Sequence, residues 1–139
     1  MNTAADNGLN GLAILVVEDE IFIGLAVEQA LRDAGAETVD LATTLSEVED
    51  CLAGTEYDAV VLDLRLPDGE TFDLGTQLLD KHVPLVIHSG HADLDHSHRL
   101  PNAVFCAKPS TPQDLVHAVI EARKIAAVSP IFHSKRAPF

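Results

Sequence analysis

Short apolar runs alternate with stretches of helical periodicity along most of the chain. Four runs are rich in branched residues: 12–17 (LAILVV), 59–62 (AVVL), 85–87 (LVI) and 103–106 (AVFC). Continuous apolar runs of this length are typical of strands that are buried on both faces of a sheet. A fifth segment, residues 37–42, has a weaker pattern that is typical of an edge strand. We therefore predict five strands.

Helical segments separate these strands. Apolar residues recur at helical spacing from residue 23 to residue 34, and Gly35 is placed to end that helix. Thr44 and Glu47 form a capping-box pattern that opens a helix through residue 52. We predict further helices over residues 71–81 and from residues 111–112 onward. The stretch 91–100 has almost no apolar face, so we expect only a short or loop-like element there.

The alternation of strands and helices predicts an α/β fold. Its expected form is a doubly wound, five-stranded parallel sheet with helices on both faces. A chain of 139 residues fits one domain of this kind. We place the domain at residues 11–127, between an N-terminal tail of residues 1–10 and a C-terminal tail of residues 128–139.

The net charge and the composition argue against some classes of binding partner. Acidic residues outnumber basic ones by 22 to 9, which gives a formal net charge of −13. This charge argues against nucleic-acid binding, because the phosphates would be repelled. No apolar run is long enough to span a bilayer, and Cys51 and Cys106 are too far apart for a C-x-x-C motif. We therefore expect a cytoplasmic protein that binds neither nucleic acid nor a membrane.

Candidate chemistry is concentrated at the ends of the predicted strands. Glu18 and Asp19 follow the first strand, Asp63 the third and Ser89 the fourth, while Lys108 stands just beyond the fifth. Ligands of open α/β sheets bind beyond these carboxyl ends, so we expect the side chains to lie close together. Three neighbouring carboxylates repel one another unless a cation joins them, and Mg²⁺ prefers oxygen ligands. A carboxylate nucleophile beside Mg²⁺ and a lysine suits phosphoryl transfer.

Four segments, in this order, resemble the receiver domains of bacterial response regulators in two-component phosphorelay systems. They are VVEDE at 16–20, VVLDLRLPDG at 60–69, HSG at 88–90 and KP at 108–109. The likeness covers roughly residues 11–127. A lone acidic pair is a weak signal, but all four segments at predicted strand ends are specific. The resemblance implies a flavodoxin-like, CheY-like sheet with strand order 2-1-3-4-5.

The resemblance also implies roles for the charged residues. Asp63 would be the phosphoacceptor. Glu18, Asp19 and Asp63 would hold Mg²⁺ together with the backbone carbonyl of Arg65. Lys108 would bind the phosphoryl group through its ammonium.

Further roles follow from the same resemblance. Ser89 would be the switch hydroxyl, and Phe105 would be the aromatic side chain that rotates on phosphorylation. Pro109 matches a proline whose preceding peptide bond is commonly cis. Arg65 and His91 stand where the family varies its rate of dephosphorylation.

The expected phosphodonor is a sensor histidine kinase or a histidine phosphotransfer protein. No output domain follows within these residues, so we expect a single-domain response regulator. It would signal by phosphorylation-switched protein contacts or serve as a phosphate sink, and it would catalyse only its own phosphorylation and dephosphorylation. One alternative is a pseudo-receiver that is an interaction scaffold without phosphorylation. A small-phosphoester hydrolase is disfavoured, because related-looking phosphatases carry a second aspartate at the position of Arg65.

Overall fold

The computed structural model describes residues 8–90 and 97–128. Its elements are β1 (Ala13–Val17), α1 (Ile21–Asp33), β2 (Thr38–Ala42), α2 (Leu45–Gly54), β3 (Ala59–Leu62), β4 (Arg65–Leu66), β5 (Gly69–Glu70), α3 (Phe72–Asp80), β6 (Leu85–Ser89), β7 (Val104–Ala107) and α4 (Pro112–Val128). The predicted order of strands and helices is confirmed, and the short β4–β5 hairpin is an addition to it. Within the described residues, no helix combines the length and the apolar character needed to cross a membrane.

Five of the strands form one parallel sheet in the order β2-β1-β3-β6-β7. Because β6 and β7 are the fourth and fifth strands of this sheet, the order matches the expected 2-1-3-4-5. The chain leaves β1 toward β2 on one side and returns to β3 on the other, so the strand order reverses beside β1. A reversal of this kind opens a crevice at the carboxyl ends of the two strands. Those ends lead directly into the predicted site.

The sheet separates two apolar cores. Alternate residues of a strand point to opposite faces, so Ile14 and Val16 pack with α1 and α4, whereas Leu15 and Val17 pack with α2 and α3. All four of these side chains are buried. Burial on both faces explains why the central strands are continuous apolar runs and not alternating ones.

Gly35 ends α1 as predicted. The Gly35 N–H donates to the carbonyl of Arg32 and the Ala36 N–H donates to that of Leu31, each at 3.0 Å. This pair of bonds is the Schellman arrangement, which needs a residue of positive φ, and Gly35 has φ of 112°. A Cβ at this position would lie 3.0 Å from the Cα of Asn10. Both the backbone angle and the close approach therefore require glycine here.

The start of α2 departs in part from the predicted capping box. The Thr44 hydroxyl accepts from the Glu47 N–H at 3.2 Å, as expected. The Glu47 carboxylate, however, accepts from the N–H of Thr43 at 2.7 Å, one residue before the cap. Asp68, from the turn between β4 and β5, accepts from the Leu45 N–H at 2.8 Å. The hairpin beside the site is thus tied to the first turn of α2.

Leu9, two residues before the domain start predicted at residue 11, contacts the core. Leu9 is fully buried in the core beside α1, and its N–H donates to the carbonyl of Ala34 at 3.3 Å. Residues 97–99 form a 3₁₀ turn within the stretch 91–100, where a short or loop-like element is predicted. Residues 91–96, which include His91, and the tail 129–139 lie outside the described residues.

Candidate functional site

Three carboxylates meet at the carboxyl ends of β1 and β3. The Asp63 N–H donates to the carbonyl of Val17 at 3.0 Å, which holds the two strand ends side by side. One carboxylate oxygen from each of Glu18, Asp19 and Asp63 lies within 4.8 Å of the others. Glu18 and Asp63 are buried, whereas Asp19 is exposed. The sheet topology therefore brings the three predicted acids together.

Lys108 reaches this cluster from the loop after β7. Its Nζ lies 2.8 Å from Oδ2 of Asp63 and 3.0 Å from Oε2 of Glu18. Its backbone N–H donates to the carbonyl of Ser89 at 2.8 Å, which ties this loop to the end of β6. The peptide bond between Lys108 and Pro109 is cis, as the resemblance implies.

Burial and charge oppose each other in this cluster. Burial raises the pKa of Glu18, and the hydrogen bond from Lys108 offsets only part of that rise. For Lys108, burial lowers the pKa, but the hydrogen bonds to Asp63 and Glu18 outweigh it, so the pKa is raised. Lys108 is therefore charged at neutral pH. One ammonium cannot neutralise three carboxylates, so the site suits an additional cation.

The donor atoms fit a hard divalent cation. All three side chains offer carboxylate oxygens, the ligands that Mg²⁺ prefers. Glu18 Oε1 lies 2.9 Å from Lys108 Nζ, yet no aligned hydrogen bond reaches this buried oxygen from the described residues. The Arg65 N–H donates to Asp63 Oδ1 at 3.1 Å, so the Arg65 backbone borders the acids. These residues fit the predicted Mg²⁺.

The loop after Asp63 is fixed by a buried hydroxyl. Thr71 is fully buried, and its Oγ1 donates to the carbonyl of Asp63 at 2.7 Å. Across the β4–β5 hairpin, the Arg65 guanidinium pairs with the Glu70 carboxylate at 2.9 Å. The role of Thr71 was not predicted from the sequence. Asp63 consequently stands at the base of a hairpin whose two sides are joined.

The remaining predicted site residues occupy different settings. Ser89 is the buried last residue of β6. Phe105 lies in β7 opposite Ile87 and packs against the core on the α2 and α3 face. His91 lies outside the described residues.

His88 is a further polar residue of this region that the sequence reasoning did not single out. It is 4% exposed, and its Nε2 lies 2.9 Å from Oγ of Ser110. Its Nδ1 lies 3.7 Å from Oε1 of Glu18. The available signal was a lone histidine within an otherwise apolar strand, next to the strand end.

Curated relatives align with most of this chain. The transcriptional regulatory protein PdtaR of Mycobacterium tuberculosis is 26% identical over 110 residues, which are 76% of this chain and 54% of that protein. The transcriptional regulatory protein PrrA of the same organism is 31% identical over 94 residues, 65% of this chain and 39% of that protein. The chain thus spans about half or less of the length of these relatives.

Solved receiver structures have the same fold. A response regulator receiver protein from Sinorhizobium medicae is 28% identical, with a TM-score of 0.73 and coverage of 85% of this chain and 98% of the other. A CheY-like receiver domain protein from Methanospirillum hungatei is 25% identical, with a TM-score of 0.74 and the same coverage. The family model for the response regulator receiver domain matches residues 14–120. With this match, the strand order and the acids at the ends of β1 and β3, the chain belongs to the receiver domain family of response regulators in two-component systems.

Proposed function

We propose that this receiver domain accepts a phosphoryl group on Asp63 from a phosphohistidine of a donor protein. The donor would be a sensor histidine kinase or a histidine phosphotransfer protein. One observation carries the proposal: the buried Asp63 carboxylate lies 2.8 Å from the Lys108 ammonium and within 4.8 Å of the acidic pair Glu18 and Asp19. A nucleophile, a phosphate-binding cation and metal ligands are thus close together.

The expected reaction is a direct displacement at phosphorus. A carboxylate oxygen of Asp63 forms a bond to phosphorus, and the bond between phosphorus and the donor's imidazole nitrogen breaks. The electron pair of that bond returns to the imidazole, and the product is an aspartyl phosphate. Lys108 neutralises charge that builds up on the phosphoryl oxygens. When bound by Glu18, Asp19, Asp63 and the Arg65 carbonyl, Mg²⁺ supplies further neutralisation of this charge.

Asp63 is better suited to be the nucleophile than the exposed Asp19. Its Oδ1 accepts from the Arg65 N–H and its Oδ2 from Lys108, so the carboxylate is held in one orientation. The Thr71 hydroxyl fixes the backbone of the same residue. Asp19 is exposed and lacks comparable restraint. Since positioning supplies much of the rate enhancement in phosphoryl transfer, the restrained carboxylate is favoured.

The response to phosphorylation is expected to travel through the ends of β6 and β7. Ser89 carries the proposed switch hydroxyl, and its carbonyl already accepts from the Lys108 N–H at 2.8 Å. Phe105 pairs in register with Ile87, two residues before Ser89. A shift of Ser89 toward the phosphoryl group would therefore reach the neighbourhood of Phe105 directly. This movement would switch protein contacts. Alternatively, the domain would serve as a phosphate sink.

The surface of α1 is the expected docking site for the donor. This helix begins two residues after Asp19, and three large apolar side chains on it are exposed: Ile21 by 46%, Phe22 by 84% and Leu25 by 49%. Phe22 also borders a cavity of about 240 Å³ whose far side is formed by Ser110 and Pro112. An apolar patch next to the nucleophile suits a protein that must bring its phosphohistidine to Asp63.

Arg65 argues against activity as a small-phosphoester hydrolase. It stands two residues after Asp63 and pairs with Glu70, so it is no general acid for a hydrolase. We therefore keep the proposal that the chain catalyses only its own phosphorylation and dephosphorylation. Tuning of dephosphorylation by Arg65 and His91 stays a prediction, as does a cytoplasmic location.

Acetyl phosphate provides a test that needs no cognate kinase. We expect incubation with acetyl phosphate and Mg²⁺ to add a single mass of about 80 Da, measured by intact mass spectrometry, because the phosphoryl group is transferred to the Asp63 carboxylate and acetate is released. The adduct should be lost in EDTA and in Asp63→Asn, whereas the exposed Asp80→Asn on α3 should behave as wild type. No adduct, also with a panel of phosphorylated histidine kinases, would favour the unphosphorylated scaffold.

A further inference from the structure

His88 is buried between the acidic cluster and the start of α4. It lies in β6 on the face that packs against α1 and α4, where it borders the cavity next to Phe22. Its two ring nitrogens have different neighbours. Nε2 lies 2.9 Å from the Ser110 hydroxyl oxygen, and Nδ1 lies 3.7 Å from Glu18 Oε1.

The ring is buried and lies near the Lys108 ammonium, a setting that favours the neutral imidazole. Burial, together with the smaller effect of the nearby Lys108 ammonium, lowers the pKa of His88 to about 4, although the Asp63 carboxylate opposes this shift. A neutral imidazole carries one proton, so one ring nitrogen donates and the other accepts. Which nitrogen holds the proton therefore decides how His88 interacts with Glu18.

Electrostatics favours the proton on Nδ1. If Nε2 held the proton, the lone pair of Nδ1 would face a carboxylate oxygen, and the two would repel each other. With the proton on Nδ1, an N–H lies on the side of the ring nearest Glu18 Oε1, and Nε2 accepts from the Ser110 hydroxyl. A hydroxyl rotates freely enough to donate or accept, so Ser110 is compatible with this tautomer.

Glu18 Oε1 is the atom that lacks an aligned donor. It is buried, and among the described residues no hydrogen bond of good geometry reaches it. Buried acceptors are nearly always satisfied, and a shift of less than about 1 Å would bring Nδ1 within hydrogen-bond distance. The Lys108 ammonium lies 2.9 Å from Oε1, but its aligned hydrogen bonds go to Oε2 of Glu18 and to Asp63.

We propose that His88 is a positioning residue for the metal ligand Glu18. Its Nδ1–H donates to Oε1 and orients the carboxylate toward Mg²⁺, while the Ser110 hydroxyl donates to Nε2 and fixes the tautomer. This inference rests on the proposed function in one respect, the binding of Mg²⁺ by Glu18. Replacement of a residue that orients a metal ligand by a hydrogen bond commonly lowers the metal affinity about tenfold or more.

The proposed hydrogen-bonded chain of side chains also links two parts of the site. Ser110 follows the Lys108–Pro109 pair, so the chain Ser110–His88–Glu18 connects the loop that carries the phosphate-binding lysine to the acid that binds the cation. The orientation of Glu18 thus depends on the position of that loop.

Two measurements test this role. Long-range ¹H–¹⁵N NMR of the metal-free protein at neutral pH identifies the protonated ring nitrogen, with the His88 signals assigned by their loss in His88→Asn. Calorimetric titration then gives the Mg²⁺ affinity of the wild type and of three variants. His88→Asn retains an N–H near the Nδ1 position, His88→Phe fills the volume without a donor, and Ser110→Ala removes only the hydroxyl.

We expect the proton on Nδ1, Mg²⁺ affinity near that of the wild type in His88→Asn, and affinity about tenfold lower in His88→Phe. Ser110→Ala should shift the tautomer ratio toward Nε2–H and weaken Mg²⁺ binding less than His88→Phe does. A proton on Nε2 in the wild type would overturn the inference. Equal Mg²⁺ affinity in wild type and His88→Phe would overturn it as well, with phosphorylation of Asp63 left intact. A wild type that binds no Mg²⁺ would instead reject the proposed function together with the orienting role.

Discussion

The Lys108 ammonium is shared by two buried carboxylates, at 2.8 Å from Asp63 and 3.0 Å from Glu18. Each of these acids is separated from water, so its charge depends on a nearby cation. Asp19 adds a third carboxylate at the exposed side. At the scale of single residues, Lys108 therefore neutralises these acids, and a bound Mg²⁺ would neutralise the same ones.

Replacement of Lys108 tests whether the ammonium compensates the charge of the buried acids. We expect Lys108→Met to lower the free energy of unfolding in EDTA by about 3 kcal/mol, because two buried carboxylates lose their partner. Mg²⁺ should restore more stability to this variant than it adds to the wild type, since it replaces the missing charge. Urea denaturation with and without Mg²⁺ measures both effects.

Lys124→Met, on the exposed surface of α4, is the matched control. It should change the free energy of unfolding by less than about 0.5 kcal/mol. If Lys108→Met were as stable as this control, the lysine would not compensate the buried acids.

The neutral ring of His88 predicts a dependence of stability on pH. Its pKa falls from the ordinary 6.5 to about 4 in the folded protein, so the unfolded chain binds the proton first as the pH drops. The stability tied to the neutral ring is therefore complete above pH 6.5 and is lost as the pH falls toward 4. The loss should be about 3 kcal/mol.

Urea denaturation of the wild type and of His88→Asn over this pH range, in EDTA, isolates the contribution of one histidine. The difference between the two free energies of unfolding should shrink on acidification. A difference that stays constant from neutral pH to pH 4 would show that His88 titrates normally in the folded state.

The local sequence pattern predicted most of the strands and helices, whereas contacts with distant residues determine where several of them begin or end. The apolar run 85–87 became a strand that continues to Ser89, because its last residues pair with Cys106 and Ala107 of β7. Asp68 caps α2 from 23 residues away, a contact that no local window contains. Helix ends that depend on backbone angle were predictable, as Gly35 illustrates, whereas those that depend on distant side chains were not.

The end of α1 provides a prediction at this scale. Gly35→Ala should lower the free energy of unfolding by about 2 kcal/mol, because alanine resists positive φ and its Cβ would crowd the backbone of Asn10. Gly54→Ala is the matched control, since Gly54 ends α2 and a Cβ there meets nothing within 4 Å. Urea denaturation should find this second variant unchanged or slightly more stable. Equal effects of the two substitutions would contradict the account of the helix end.

For the whole molecule, sheet topology explains why the acidic site was predictable. Glu18, Asp63 and Lys108 stand at the ends of three strands, and parallel strands bring those ends to one edge. The contacts of His88 were not predictable in the same way. Glu18 and Ser110 lie far from it in sequence; the sheet brings Glu18 near the ring, and the loop between β7 and α4 brings Ser110 to it.

Recognition of the phosphodonor is also a property of the whole molecule. We expect Phe22→Ala to slow phosphoryl transfer from a phosphorylated histidine kinase by about tenfold, because large apolar side chains dominate such interfaces. Transfer from acetyl phosphate, which needs no docking, should be unchanged. Val128→Ala, exposed at the far end of α4, is the control and should leave both rates unaltered. An equal loss of both rates in Phe22→Ala would place its effect in the site and not at the donor interface.

The central claim is that one carboxylate, that of Asp63, carries the phosphoryl group. Borohydride reduces an acyl phosphate and converts the phosphorylated aspartate to homoserine, which peptide mass spectrometry locates by residue. After incubation with acetyl phosphate and Mg²⁺, we predict homoserine at position 63 and unmodified acids at positions 18 and 19. Homoserine at Asp19 instead, or a phosphorylated protein with residue 63 unmodified, would contradict the assignment of Asp63 as the nucleophile.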